Sequence, residues 1–337
     1  MGLFGDVVTR VGRAARQAVK RSIAAVGNRH RPGEENDLLI LSSPRSGSTW
    51  LMELIYTQPG IKYIDEPLAK HILEAENIFP LKPCWRYVDL TATEKATLTD
   101  YLKNDRLVRR FGPRNVLADE YDYFTDRRVL KLIRTCSLLP WFAENSGFEV
   151  IYLIRHPIPQ ALSAIRRDHD HHLRAYSSAL SSDVYGTEAQ DVIDSLDATS
   201  TVLKAFVTAW CLENIVPLQY VTGRSEVNVF VLTYEELVMN PEVVLEKLAA
   251  KLRLERLDRM MEHVSTPSAV TDTTTHETKE RIREGDRGYL VRKWKQQVTE
   301  EQENDLFSIL DAFDVDAYRP GRFLAQGRFL HGKEVEV

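Results

Sequence analysis

Asp37 to Glu53 reads DLLILSSPRSGSTWLME. Leu38 to Leu41 is an apolar run of the length of one buried strand. Ser42-Ser43-Pro44-Arg45-Ser46-Gly47-Ser48 is a tight polar turn. From Thr49 the apolar residues Trp50, Leu51, Leu54 and Ile55 recur at three- and four-residue spacing, which predicts a helix. A strand, a small-residue turn and a helix start form an anion site, because the first-turn N–H groups have no intrahelical acceptor and the helix dipole favours negative charge there. Gly47 clears space for a phosphate to approach the backbone. Ser46, Ser48 and Thr49 supply hydroxyls, and Arg45 supplies a fixed positive charge.

Aligned on the nucleotide-triphosphate loop G-x-x-x-x-G-K-[ST], the turn has Ser42 for the first glycine, Gly47 for the second and Ser48 for the lysine. Without that lysine it suits a phosphate-like group better than a nucleoside triphosphate. Pro-Arg-Ser-Gly-Ser-Thr-Trp resembles instead the 5′-phosphosulfate loop of sulfotransferases, which move a sulfuryl group from 3′-phosphoadenosine 5′-phosphosulfate (PAPS) to an acceptor. A serine-rich turn with no ligand is the plainer alternative.

Further along, Ile61 to Ile64 reads as a short strand that delivers Asp65-Glu66-Pro67-Leu68. Pro67 disfavours helix at Glu66 and leaves this carboxylate at a strand end. Transfer to an alcohol needs a base near the acceptor hydroxyl, and such a carboxylate suits the task. Glu-Pro-Leu after the loop resembles the carbohydrate branch of the family, and the resemblance implies Glu66 as general base. His71 is a nearby competitor. Residues 128–133 read as a core strand with Lys131 inside it, costly unless paired with an anion. The resemblance implies that Lys131 lies near the phosphosulfate. The Lys-Thr-His of the cytosolic branch is here Lys131-Leu132-Ile133, so that branch's histidine base is missing.

Glu149 to Ile154 is the strongest strand signal in the chain. It ends at Arg155-His156-Pro157, and a helix carrying Ser163 follows. Open α/β sheets place ligands at such carboxyl ends, and arginine plus serine suit a phosphate. The pattern resembles the family's 3′-phosphate motif, with His156 where Asp or Asn is common. Val227 to Leu232 predicts a later strand, and Tyr234-Glu-Glu-Leu resembles the segment that lies near the adenine. Arg292-Lys293-Trp294-Lys295 resembles the basic segment that closes over the nucleotide, and reads equally as a solvated basic turn. The resemblance thus implies Arg45, Ser46, Gly47, Ser48, Thr49, Trp50, Arg155, Ser163, Tyr234 and Arg292 as donor-binding residues. It implies Glu66, Arg45 and Lys131 as catalytic ones. It also implies a three-layer α/β fold with a mostly parallel, P-loop-like sheet and helices on both faces, over residues 37–322, with 323–337 as a tail.

The 337 residues are 43% hydrophobic, enough for a sizeable core. The net charge of −5 excludes a global basic signature for nucleic acid. Three scattered cysteines lack metal or disulfide spacing and suit a reducing compartment such as the cytoplasm. No apolar run reaches the ~20 residues of a membrane span. Residues 1–30 form an amphipathic, basic helix: Leu3, Phe4, Val7, Val8 and Val11 share one stripe, against Arg10, Arg13, Arg16, Lys20 and Arg21. Residues 3–26 therefore suit the surface of an anionic membrane, or packing on the chain's own domain or on a second subunit as a homodimer. His169, Asp170, His171 and His172 cluster, but no second group of ligands accompanies them, and no metal is expected. The expected activity is PAPS-dependent transfer to an acceptor hydroxyl of a carbohydrate, a lipid or a small metabolite. A kinase of related fold and a non-catalytic membrane-associated binding module are the alternatives.

Overall fold

The computed structural model describes residues 15, 18–20, 22–69, 90–109, 116, 121–196, 200–222, 224, 227–266 and 276–327. Its strands are β1 (Arg29–His30), β2 (Leu38–Ser42), β3 (Ile61–Asp65), β4 (Phe124–Thr125), β5 (Arg127–Ile133), β6 (Glu149–Ile154) and β7 (Val229–Thr233). Five of them form one parallel sheet in the order β3-β5-β2-β6-β7. β1 and β4 pair separately as a short parallel ribbon.

Strand β2 is central because it is apolar on both faces. All five of its residues are buried, as a strand covered by helices on each side requires. Leu39 and Leu41 pack to one side, with α2 (Ala92–Lys103), α4 (Val202–Thr222) and α9 (Glu300–Ala312). Leu38 and Ile40 pack to the other, with α1 (Ser48–Tyr56) and α6 (Pro241–Leu252). The alternation produces three layers, as the sequence predicts. Helix α2 opens with a capping box: the Thr91 hydroxyl accepts from the Glu94 N–H while the Glu94 carboxylate accepts from the Thr91 N–H.

The strand carrying Lys131 begins with two buried arginines. The Arg128 guanidinium donates to Asp37 and to the last carbonyls of α2, at Asn104 and Lys103. Arg127 donates to the Asn36 and Leu252 carbonyls. With Asp37 beside Arg128 and Glu149 3.6 Å from Arg127, these bonds hold two charges at the amino end of the sheet.

The basic amino-terminal helix can be followed only in part. Residues 22–27 are helical; most of the predicted stripe, and His71, lie outside the described residues.

Candidate active site

At the carboxyl edge of β2 the chain turns through two left-handed residues, Arg45 (φ 68°) and Gly47 (φ 96°). Gly47 is required twice over. Its φ is unfavourable for a side chain, and a Cβ there would come within 2.5 Å of the Tyr234 ring. Helix α1 then begins with no side-chain cap and no acidic residue in its first turn. The N–H groups of Ser48, Thr49 and Trp50 therefore point outward without an intrahelical acceptor. The Ser46 hydroxyl is buried and also lacks a partner. The turn is held from below by Asn214 of α4, whose amide donates to Ser43 Oγ at 3.1 Å.

The second turn follows β6 and enters α3 (Pro157–Ile165). Arg155 donates to the Arg45 carbonyl at 2.8 Å and lies 4.1 Å over the Tyr234 ring. Arg45 Nε in turn donates to Ser163 Oγ at 3.2 Å. The two sequence motifs are thus one interlocked structure. His156 faces away from the cleft. Fully buried beside Trp294 and Tyr318, it caps α3 by accepting from the Ile158 N–H. Its backbone N–H donates to Glu235, which also accepts from the Tyr318 hydroxyl at 2.8 Å. Burial, with the Arg155 charge next, pushes the His156 imidazole down to about 3. Burial pushes the Glu235 carboxyl up to about 7. His156 is therefore a neutral structural histidine.

At the other end of the cleft, Lys131 reaches Asp65 at 2.6 Å, Glu66 at 2.9 Å and Thr49 Oγ1 at 3.0 Å. One buried ammonium thereby joins β3, β5 and the first turn of α1. Glu66 has a left-handed backbone (φ 51°), and its N–H donates to the Lys131 carbonyl. A glutamate in that conformation is strained, and its surroundings hold it there. Proline at position 67 takes the chain away and leaves the carboxylate at the cleft.

Arg45, Gly47, Ser48, Thr49, Trp50, Glu66, Lys131, Arg155, Ser163 and Tyr234 all line one cleft of roughly 800 Å³. Two expected residues do not. Ser46 is fully buried beneath the turn. Arg292 turns back on its own helix α8 (Arg287–Arg292), donating to the Gly288 carbonyl and lying over Phe323. The next residue, Lys293, lines the cleft in its place, because one step around a helix changes the face.

Arg166, Arg167, His169 and Tyr289 also line the cleft. Arg166 and Arg167 follow Ser163 in α3 and its end, and their charge next to a phosphate motif is visible in the sequence. His169 is brought back by Asp168 in the left-handed conformation (φ 53°), with the His169 N–H bonded to the Ala164 carbonyl, a helix-ending turn no glycine announces. Burial, reinforced by Arg167, Arg155 and Arg166, lowers Arg45 to about 10. Burial, reinforced by Arg155 and Arg166, lowers Lys293 to about 8. Glu66 acts on Arg45 and Glu277 on Lys293 in the opposite sense, but the cations crowd one another more strongly than these carboxylates relieve them, and this part of the cleft suits a polyanion. Its wall also includes Val238, Ile282 and Leu290, apolar surface suited to a flat ring. Among the described residues no group of histidine, cysteine and carboxylate side chains could hold a metal ion.

Residues 35–312 match the family model described as sulfotransferase domain. Among solved structures, the chain is similar to mouse sulfotransferase SULT7A1 complexed with PAP, at 15% identity over 84% of this chain and 86% of that one, TM-score 0.37. It is similar to the sulfotransferase domain from the curacin biosynthetic pathway, at 16% identity over 83% and 98%, TM-score 0.42. A third is the sulfotransferase domain from the Synechococcus PCC 7002 olefin synthase, at 17% identity over 84% and 97%, TM-score 0.40. No curated protein matches the chain at a significant level.

Proposed function

Because the chain belongs to the sulfotransferase domain family, we propose that it takes its sulfuryl group from PAPS and passes it to an acceptor hydroxyl, with Glu66 as base. The observation that carries the donor is the interlock of the two anion-binding turns, through Arg45 with Ser163 and Arg155 with the Arg45 carbonyl. The turn after β2 offers outward N–H groups for a 5′-phosphosulfate. Arg155 and Ser163, with Arg166 and Lys293 nearby, suit a 3′-phosphate. Trp50 and Tyr234 meet edge to face at 6.2 Å and supply aromatic surface for the adenine.

In this reading the acceptor oxygen approaches between Glu66 and the mouth of the turn. Glu66 takes its proton as the oxygen–sulfur bond forms. Lys131 and Arg45, with the α1 amides, counter charge on the sulfuryl oxygens and the departing phosphate. The Lys131 contact orients the Glu66 carboxylate at the cleft. The Glu66-Pro67-Leu68 segment favours a carbohydrate hydroxyl; a lipid or small metabolite is the other class of acceptor.

A thermal shift with 3′-phosphoadenosine 5′-phosphate, against ADP and ATP, tests the donor. At ~100 times its dissociation constant a ligand adds about 2.7 kcal/mol. A shift confined to the 3′-phosphorylated compound is expected. A shift with ATP alone would replace this reading with a kinase, and no shift with any nucleotide would leave the turns without their ligand.

A further inference from the structure

Behind Pro44 and His169, both of which also line the main cleft, lies a separate hollow of about 40 Å³. It sits between α3 and α4, beside residues 169–172. Five buried polar atoms of the residues that line it have no hydrogen-bond partner: Trp210 Nε1, Gln160 Oε1, His169 Nδ1, the Tyr176 hydroxyl and Glu213 Oε1. Trp210 is 3% exposed and Gln160 6%. One unsatisfied buried group is costly and uncommon. Five around one small space mark a place whose polar partner comes from outside the protein.

The chemistry of the wall selects that partner. Trp210 offers only a donor, and Gln160 presents its carbonyl oxygen, an acceptor. Arg134 and Glu213 also line the hollow, and the Arg134 charge acts directly on Glu213. A fixed anion would face Glu213 and the Gln160 oxygen, and a fixed cation would face Arg134. A hydroxyl suits both kinds of neighbour, since it donates one hydrogen bond and accepts two. The space holds one hydroxymethyl-sized group, not a ring.

Resting on the sulfuryl-transfer reading above, we infer that this hollow is an acceptor subsite: it takes a second, neutral hydroxyl of a polyhydroxylated acceptor whose first hydroxyl faces Glu66. The hollow and the cleft share Pro44 and His169, so an acceptor lying across these two residues reaches both. The site then reads a diol rather than an isolated alcohol, and that choice is made by Trp210 and Gln160, away from the reacting atoms.

The test is calorimetric titration of the full chain, saturated with 3′-phosphoadenosine 5′-phosphate, using 1-phenylethane-1,2-diol against 2-phenylethanol. These probes share a carbon skeleton and differ by one hydroxyl. The diol is expected to bind about tenfold more tightly, the effect of one buried hydrogen bond made rather than missed. Trp210→Phe, which removes the N–H and keeps the ring, and Gln160→Met, which keeps the length, should each bring the two probes within about threefold. Neither should change nucleotide affinity. Equal binding of the probes, binding of neither, or a preference that survives both substitutions overturns the subsite and assigns the hollow to water. Nucleotide affinity is read first, in a separate titration of the nucleotide-free chain, so failure of the donor reading shows up on its own, and the probe comparison is then made on the nucleotide-free chain.

Discussion

Gly47 and Glu66 both have left-handed backbones, for opposite reasons. Gly47 must lack a side chain because Tyr234 fills the space it would occupy. Gly47→Ala should lose at least about 1–3 kcal/mol from strain alone, read as a fall in Tm, and abolish the thermal shift with the nucleotide because the turn can no longer close. Glu66 must keep its side chain. Glu66→Gln should lower kcat by at least about 100-fold, the low end of what a positioned base contributes. The dissociation constant for 3′-phosphoadenosine 5′-phosphate should stay within about threefold. Turnover at the wild-type rate would remove Glu66 as the base. Removing Lys131 is a harsher change, because it leaves Asp65 and Glu66 facing each other without their shared cation.

Elements explain why some of this site was legible beforehand and some was not. The turn after β2 and the turn after β6 each announce themselves by a run of buried strand followed by a small or fixed residue and a helix start. Their residues Arg45, Gly47, Thr49, Arg155 and Ser163 meet in one cleft. Local pattern also found Glu66, because proline at 67 fixes where the strand must end. Arg292 was misplaced because motif likeness gives a segment and not a helical phase; Lys293 faces the cleft. His169 was invisible as a cleft residue, since its position depends on a left-handed Asp168. The interlock itself was beyond the sequence, because no periodicity says that Arg45 will donate to Ser163. It makes the two turns energetically dependent. In a double-mutant cycle on nucleotide binding, Arg45→Ala and Ser163→Ala should be non-additive by about 0.5–3 kcal/mol. Strict additivity would mean that each turn grips the nucleotide alone.

At the scale of the molecule, titration of buried groups links the cleft's foundations to pH. Glu235 has a carboxyl raised to about 7 by burial, against roughly 4.3 in an unfolded chain. The folded state therefore holds the proton more tightly. The carboxyl's effect on stability is absent below about pH 4, grows unfavourable as pH rises, and is complete above about 7. Glu235→Gln keeps an acceptor for the His156 N–H and removes the titration. Its stability relative to the parent chain should rise between pH 4.5 and 7.5, by up to about 3 kcal/mol in denaturant titrations. A difference independent of pH would mean that this carboxyl is not held protonated by its burial. His156 acts with the opposite sign: its folded-state value of about 3 lies below the unfolded one, so its contribution is lost as pH falls.

The strand order has one more consequence, and it concerns time. β2 emerges early in the chain, yet both of its neighbours come late: Leu38 pairs with Val129 on one side and with Glu149 on the other. The most apolar strand of the sheet must wait about ninety residues of chain for one edge to be covered and about a hundred and ten for the other. Parallel pairing over such separations is slow, and an uncovered apolar edge invites association with other chains. A nascent chain stopped before β6 is therefore the species most in need of a chaperone. Yield on refolding should fall as protein concentration rises, because every unfinished molecule carries the turn after β2 on an open edge.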